Sequence, residues 1–191
     1  MKTKIVYVVI STEKDIYLEQ AYLSIASLKH HNPTSNITIL TDTITQNSLK
    51  GFRKDMINLA SEIIAVDLPY EYTAQQRSRI LKTSCRKYVS GDFLFIDCDT
   101  IITKSLDEID NVPFELAACR DSHSKFKNNP YREMCISHAK RIGFDVSSEE
   151  EYFNSGVILA RDTPLVHKFY EEWNMNWLIS RKNGIYMDQP A

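Results

Sequence analysis

Apolar runs and helical stripes alternate along the first half of the chain. Residues 5–10 form a continuous β-branched, apolar run, the pattern of a strand buried on both faces. Leu18, Ala21, Tyr22, Ile25 and Leu28 then recur at helical spacing, and Asn32-Pro33 ends that helix. Residues 36–40 predict a second strand. Leu49, Phe52, Met56 and Leu59 predict the buried face of a second helix, and residues 62–68 a third strand. Residues 74–88 predict a third helix, closed by Ser90-Gly91, and residues 92–97 a fourth strand that is apolar on both faces. This alternation predicts an α/β domain with a largely parallel sheet and helices on both faces.

The second half is less regular. Residues 114–119 and 155–160 predict strands, with a helix over 131–142 between them. Thr163 and Pro164 have the residue types of an N-cap and first helical position. The long helix they open would bury Leu165, Val166, Phe169, Trp173 and Trp177 and stop at Asn183-Gly184. No repeat or linker divides residues 1–191, so one domain is expected, with the regular alternation over residues 1–103 and residues 104–191 completing the sheet.

Composition narrows the function classes. The chain has 191 residues, 43% hydrophobic and 25% charged, and so can bury a substantial core as a soluble globular protein. A formal net charge of -2 lacks the basic excess of a nucleic-acid binder. Lys2 and Lys4 flank an apolar run too short for a signal peptide or a membrane span, which points to a cytoplasmic protein, either free or peripheral at the inner membrane face. Cys85, Cys98, Cys119 and Cys135 form no C-x-x-C pair and are expected to be reduced. His30, His31, His123, His138 and His167 have no metal-ligand spacing.

Candidate chemistry gathers where the fourth strand ends. In open α/β sheets ligands bind at the carboxyl ends of the strands. There Asp97 and Asp99, two apart on an extended chain, would turn their carboxylates to one side and Cys98 to the other. Paired carboxylates repel unless a cation lies between them, and oxygen donors suit Mg2+ or Mn2+. The competing reading is a solvated turn. Arg79, Lys82 and Arg86 share a face of the preceding helix, as phosphate or sugar contacts or as a solvated basic face. Asn154 and Ser155 precede a strand, with Gly156 allowing close backbone approach, either as a ligand loop or as a turn with a capping Asn. Asp188 and Gln189 are a further polar pair near the C-terminus.

Taken in order, these segments resemble the GT-A glycosyltransferases, in particular family 8, retaining galactosyl- and glucosyltransferases that use UDP-sugars. The family opens its first helix with D-x-x-Y, where this chain has Asp15 and Tyr17, one residue closer together. An Arg precedes the family's D-x-D by about eighteen residues, as Arg79 precedes Asp97 by eighteen. F-N-A-G-V-L-L is matched by residues 153–159, with Ser155 in place of Ala, and D-Q by Asp188 and Gln189. The resemblance implies a GT-A (Rossmann-like) fold with a mixed, mainly parallel sheet. It implies Mn2+ or Mg2+ on Asp97 and Asp99 against a UDP-sugar diphosphate, with Asp99 near the ribose. Ile10, Ser11, Thr12 and Tyr17 would line the uracil pocket, and Cys98 would share the diphosphate wall. Arg79, Lys82, Asn154, Ser155, Asp188 and Gln189 would surround the phosphates and sugar, with Asp188 or Gln189 supplying the oxygen beside the anomeric carbon. The acceptor would be an unspecified saccharide, lipid or protein. The family continues beyond D-Q with a His metal ligand and an acceptor-binding region. The expectation is therefore a donor half without its acceptor half. Two other readings compete: a non-catalytic or truncated sugar-nucleotide-binding domain, and a haloacid-dehalogenase-type phosphatase, whose D-x-D also follows an apolar strand.

Overall fold

The computed structural model describes residues 1–189. Its strands are β1 (Lys4–Val8), β2 (Ile37–Asp42), β3 (Glu62–Val66), β4 (Phe93–Ile96), β5 (Leu116–Arg120) and β6 (Phe153–Ala160). The helices are α1 (Tyr17–His31), α2 (Thr43–Ser48), α3 (Phe52–Met56), α4 (Ala74–Thr83), α5 (Cys85–Tyr88), α6 (Arg132–Arg141) and α7 (Pro164–Lys182), joined by short 3-10 turns. Among the described residues the strands form one sheet in the order β3-β2-β1-β4-β6-β5. The first four are mutually parallel, and β6 runs antiparallel to both β4 and β5.

Alternate residues of the first strand feed two cores. Ile5, Tyr7 and Val9 face Leu18, Ile25 and Leu28 of α1, while Val6, Val8 and Ile10 join Leu81, Val166, Tyr170 and Trp173 from α4 and α7. Cover on both faces explains why this strand is a continuous apolar run rather than an alternating one. Trp177 is fully buried on α7.

Local chemistry fixes the boundaries. Thr73 and Gln76 form a reciprocal capping box at the start of α4, their backbone and side chains bonding at 3.0 and 3.2 Å. Thr163 caps α7 ahead of Pro164, and Gly184 follows the helix at φ +72, as the sequence indicates.

Several expectations are corrected. The helix expected around Leu49–Leu59 is reduced to α3 and a 3-10 turn, because α2 ends at Ser48 and Gly51 at φ +52 interposes a left-handed residue before Phe52. Phe52 is 68% exposed as a result. Leu165 is also exposed, and Tyr170 takes the place assigned to it on the buried face of α7. The expected helix over 74–88 divides at Ser84 into α4 and α5. β6 begins at Phe153, so Asn154 and Ser155 lie inside the strand rather than before it.

Candidate functional site

The site is built where parallel strands end and the antiparallel strand begins. Because β6 runs opposite to β4, its first residues lie at the same sheet edge as the carboxyl end of β4. The backbone seals that junction: Asp97 N–H donates to Gly156 O at 2.8 Å. A Cβ on Gly156 would come within 2.7 Å of Asn154 Oδ1 and 2.9 Å of Asp97 Oδ2, so only glycine leaves the carboxylate room.

β4 stops at Ile96, and residues 97–99 turn out of the sheet. Strand alternation therefore does not set their directions. Asp97 turns back to Lys82, whose Nζ lies 3.1 and 3.3 Å from its two oxygens. Asp99 is exposed at the rim of the same cleft, and Cys98 Sγ lies 3.3 Å from Val8 O. The cleft, of about 470 Å³, is lined by Ile10, Tyr17, Gln20, Gln75, Arg79 and Asp97 with their neighbours Cys98 and Asp99.

Lys82 connects this wall to the chain's last described turn. It is 3% exposed, and its ammonium also lies 3.1 Å from Asp188 Oδ2. Arg79 Nε approaches Asp188 Oδ1 at 2.9 Å, Ser155 Oγ donates to Asp188 Oδ2 at 2.9 Å, and Trp173 Nε1 donates to the Asp188 carbonyl at 2.8 Å. The two carboxylates titrate in opposite directions. Burial pushes Asp97 up, and Lys82 offsets this only in part, with Asp188 adding repulsion. Burial also opposes ionisation of Asp188, but Lys82, Arg79 and the Ser155 hydroxyl outweigh it and hold this carboxyl below its ordinary value.

A second cluster flanks the first. Arg120 pairs with Phe153 across β5 and β6, which brings the next residue, Asp121, beside Asn154. Asp121 accepts from Asn154 Nδ2 at 3.1 Å and Asn129 Nδ2 at 2.7 Å, and it hydrogen-bonds the Gln189 side chain. Sequence reasoning did not single out Asp121. Nothing in its local pattern distinguishes it; its position depends on the β5–β6 pairing.

Other expected residues have different surroundings. Ser11 and Thr12 are absorbed into the loop before α1: both hydroxyls donate to Asp15 at 2.7 Å, and Arg53 donates to Thr12 O at 2.6 Å. Asp15 and Arg53 thus shape the base of the cleft beside Tyr17. Arg86, expected on the helix surface, is buried at 3% exposure; the break at Ser84 turns it away from Arg79 and Lys82. α4 itself is anchored by the buried pair of Arg77 with Asp42 at the end of β2.

The donor set suits a hard divalent ion. Asp97 and Asp99 offer carboxylate oxygens at an open cleft, and Mg2+ or Mn2+ can complete its shell with phosphate oxygens and water. Among the described residues no cluster of three or more His, Cys, Asp or Glu forms a closed metal cage.

The family described as "Glycosyl transferase family 8" matches residues 8–191. A putative glycosyltransferase of Haemophilus influenzae is 32% identical over 100 residues, which cover 50% of this chain and 27% of that protein. The chain thus spans about a quarter of that relative's length. Among solved structures, the galactosyltransferase LgtC in complex with donor and acceptor sugar analogs matches with a TM-score of 0.57 at 16% identity, covering 98% of this chain and 68% of that one. Mouse xyloside xylosyltransferase 1 matches at 0.60 and 14% identity, covering 100% and 80%. GlyE of Streptococcus pneumoniae TIGR4 matches at 0.55 and 18% identity, covering 98% and 42%. At these identities the likeness is one of fold. The match and the antiparallel β6 leave the phosphatase reading without support.

Proposed function

Since the chain belongs to glycosyl transferase family 8, we propose that its cleft binds a UDP-hexose with Mn2+ or Mg2+ at Asp97 and Asp99, and that it serves sugar transfer to a saccharide, lipid or protein acceptor. The chain has the GT-A fold of its structural relatives, and no described helix is long and apolar enough to cross a membrane. The observation that carries the reading is the convergence of Asp97, Asp99 and Arg79 on one cleft that Tyr17 and Ile10 also line.

The cleft lining divides by chemistry. Ile10, Tyr17 and Gln20 offer a ring face and an amide suited to a base, and Asp97, Asp99 and Arg79 offer charged groups suited to a metal-bound diphosphate. The metal would neutralise charge as the nucleotide leaves. Arg79 would add a fixed positive group on that side, acting where charge develops. Asp188, ionised and held from three sides, and Gln189, oriented by Asp121, offer oxygens on the sugar side. An electron-deficient anomeric carbon would be stabilised by such oxygens. Asn154 and Ser155 brace this side by bonding Asp121 and Asp188.

Replacing Asp97 and Asp99 together by Ala tests the assignment. Metal-dependent UDP binding in calorimetry should vanish while the thermal transition is retained. Unchanged affinity would overturn it. UDP-sugar hydrolysis, followed separately, distinguishes a catalytic site from a binding module.

A further inference from the structure

A basic residue beside a diphosphate site would ordinarily be read as a phosphate contact, but Lys82 is not free for that role. It is 3% exposed, its ammonium lies over the Phe95 ring at 5.1 Å, and its hydrogen-bonding capacity is directed at two acids. Nζ lies 3.1 and 3.3 Å from the oxygens of Asp97 and 3.1 Å from Asp188 Oδ2. The lysine therefore occupies, from the protein side, the position of a cation compensating Asp97.

We propose that Lys82 is a resident cation that competes with the divalent metal for Asp97, making metal binding weak until the nucleotide diphosphate supplies further negative charge. The inference rests on the assignment of Asp97 and Asp99 as metal ligands. The charge count supports it. Three carboxylates, Asp97, Asp99 and Asp188, are balanced by two cations, Lys82 and Arg79, which leaves a net charge of about -1 to attract a divalent ion. Removing Lys82 doubles that deficit and frees both oxygens of Asp97. The added negative charge of a bound diphosphate has the same electrostatic sense. Metal and nucleotide then favour each other's binding by linkage.

The position also makes Lys82 a positioning residue. It ties the turn after β4 to the 185–189 segment, since Asp97 and Asp188 belong to separate elements joined through its ammonium. Asp188 keeps Arg79 and Ser155 when the lysine is removed, and Asp97 remains open to solvent on its cleft side. Neutral variants therefore leave no fully buried charge without a partner.

The test is Mn2+ binding without nucleotide, read from the free-ion signal in electron paramagnetic resonance. Wild type, Lys82→Met, Lys82→Gln and the double variant Asp97→Asn with Asp99→Asn would be compared, each first checked for a folded thermal transition. Met fills the volume of the lysine stem and Gln retains neutral N–H donors, so either folded variant decides the question. Both neutral lysine variants should bind Mn2+ about tenfold more tightly than wild type or better, the scale expected when a unit charge is removed this close to the ligand. UDP should enhance Mn2+ binding less in them than in wild type. A merely structural lysine would leave the affinity unchanged or weaken it, and that result, with binding lost in the double aspartate variant, overturns the inference alone. Mn2+ binding that survives in the double aspartate variant overturns the metal assignment and this inference together.

Discussion

The two edges of the sheet connect their charged groups differently. At the edge where β4 ends, charges meet one another: Lys82 joins Asp97 and Asp188, and Arg79 joins Asp188. At the opposite edge, charges end mainly on backbone, beside the ion pairs of Arg161 with Asp92 at 3.2 Å and, more loosely, Arg86 with Asp162 at 3.8 Å. Arg86 donates to the carbonyls of Val89, Gly91, Ala160 and Arg161, and its guanidinium lies 4.2 Å from the centre of the Phe93 ring. Arg161 donates to the carbonyls of Ile109, Asp110 and Val112, and Asp110 accepts from the N–H groups of Lys2 and Thr3. A charge spent on backbone groups completes the hydrogen bonding of the fold. A charge balanced only by other side chains can be rebalanced by a ligand. The difference separates a structural edge from the edge proposed to bind the donor.

The largest test of this division exchanges the fates of two arginines that sequence spacing places on one helix face. Arg86→Ala removes a buried cation and leaves four carbonyls short of a donor, and should cost about 3 to 5 kcal/mol of unfolding free energy. The folded fraction should bind UDP as wild type does. Arg79→Ala should do the reverse: urea unfolding barely moves, while affinity for UDP with Mn2+ falls about tenfold. Comparable losses of affinity in both variants would erase the distinction between the edges.

A smaller effect is expected at the seam between the two strand directions. Gly156→Ala places a methyl group against Asn154 Oδ1 and Asp97 Oδ2. Both atoms are side-chain termini, so the fold can adjust at modest cost, but Asp97 must swing off its hydrogen bonds to Lys82. Metal-dependent UDP affinity should drop severalfold with a thermal midpoint within a few degrees of wild type. A large stability loss with affinity intact would place the strain in the sheet instead.

Much of the binding edge is legible in the sequence because its parallel part follows local rules. A doubly buried strand needs a continuous apolar run, so the apolar pattern by itself puts Asp97 and Asp99 just past the carboxyl end of a parallel strand, the edge where open α/β sheets generally bind ligands. The helix that delivers Arg79 is legible in the same way. The separate fates of Arg79, Lys82 and Arg86 are not, because the break at Ser84 and the burial of Lys82 between two acids depend on elements distant in sequence. The same holds for Asp121, whose approach to Asn154 requires β5 and β6 to pair in one register. Leu165 departs from expectation for a different reason. Helical periodicity identifies an apolar stripe but not which of two adjacent positions at its margin turns inward.

The smallest expected effect sharpens the description of the structural edge, because it depends on pH in a direction set by backbone donors. Asp110 accepts from Lys2 N–H at 2.7 Å, from Thr3 N–H at 2.9 Å and from the Thr3 hydroxyl at 2.7 Å. Its modest burial would raise its pKa, but these donors and the nearby N-terminal ammonium prevail and lower it from 3.8 to about 2. A carboxyl depressed in the folded state contributes stability above its unfolded pKa, and that contribution fades as pH falls through the folded value. Asp110→Asn keeps one acceptor oxygen but loses the charge. It should therefore be less stable than wild type by a gap that is level from pH 7 down to about pH 5. Between pH 4 and pH 2 the gap should narrow, reaching roughly half its plateau near pH 3, where the depressed carboxylate is still ionised and the unfolded one is mostly protonated. Solvent screening at this partly exposed site keeps the plateau small, a shift of a few degrees in thermal midpoint. Urea unfolding of both proteins at pH 3, 4, 5 and 7 would measure it. A gap that stays constant across that series would mean that Asp110 holds the N-terminal strand by shape and neutral hydrogen bonding rather than by charge.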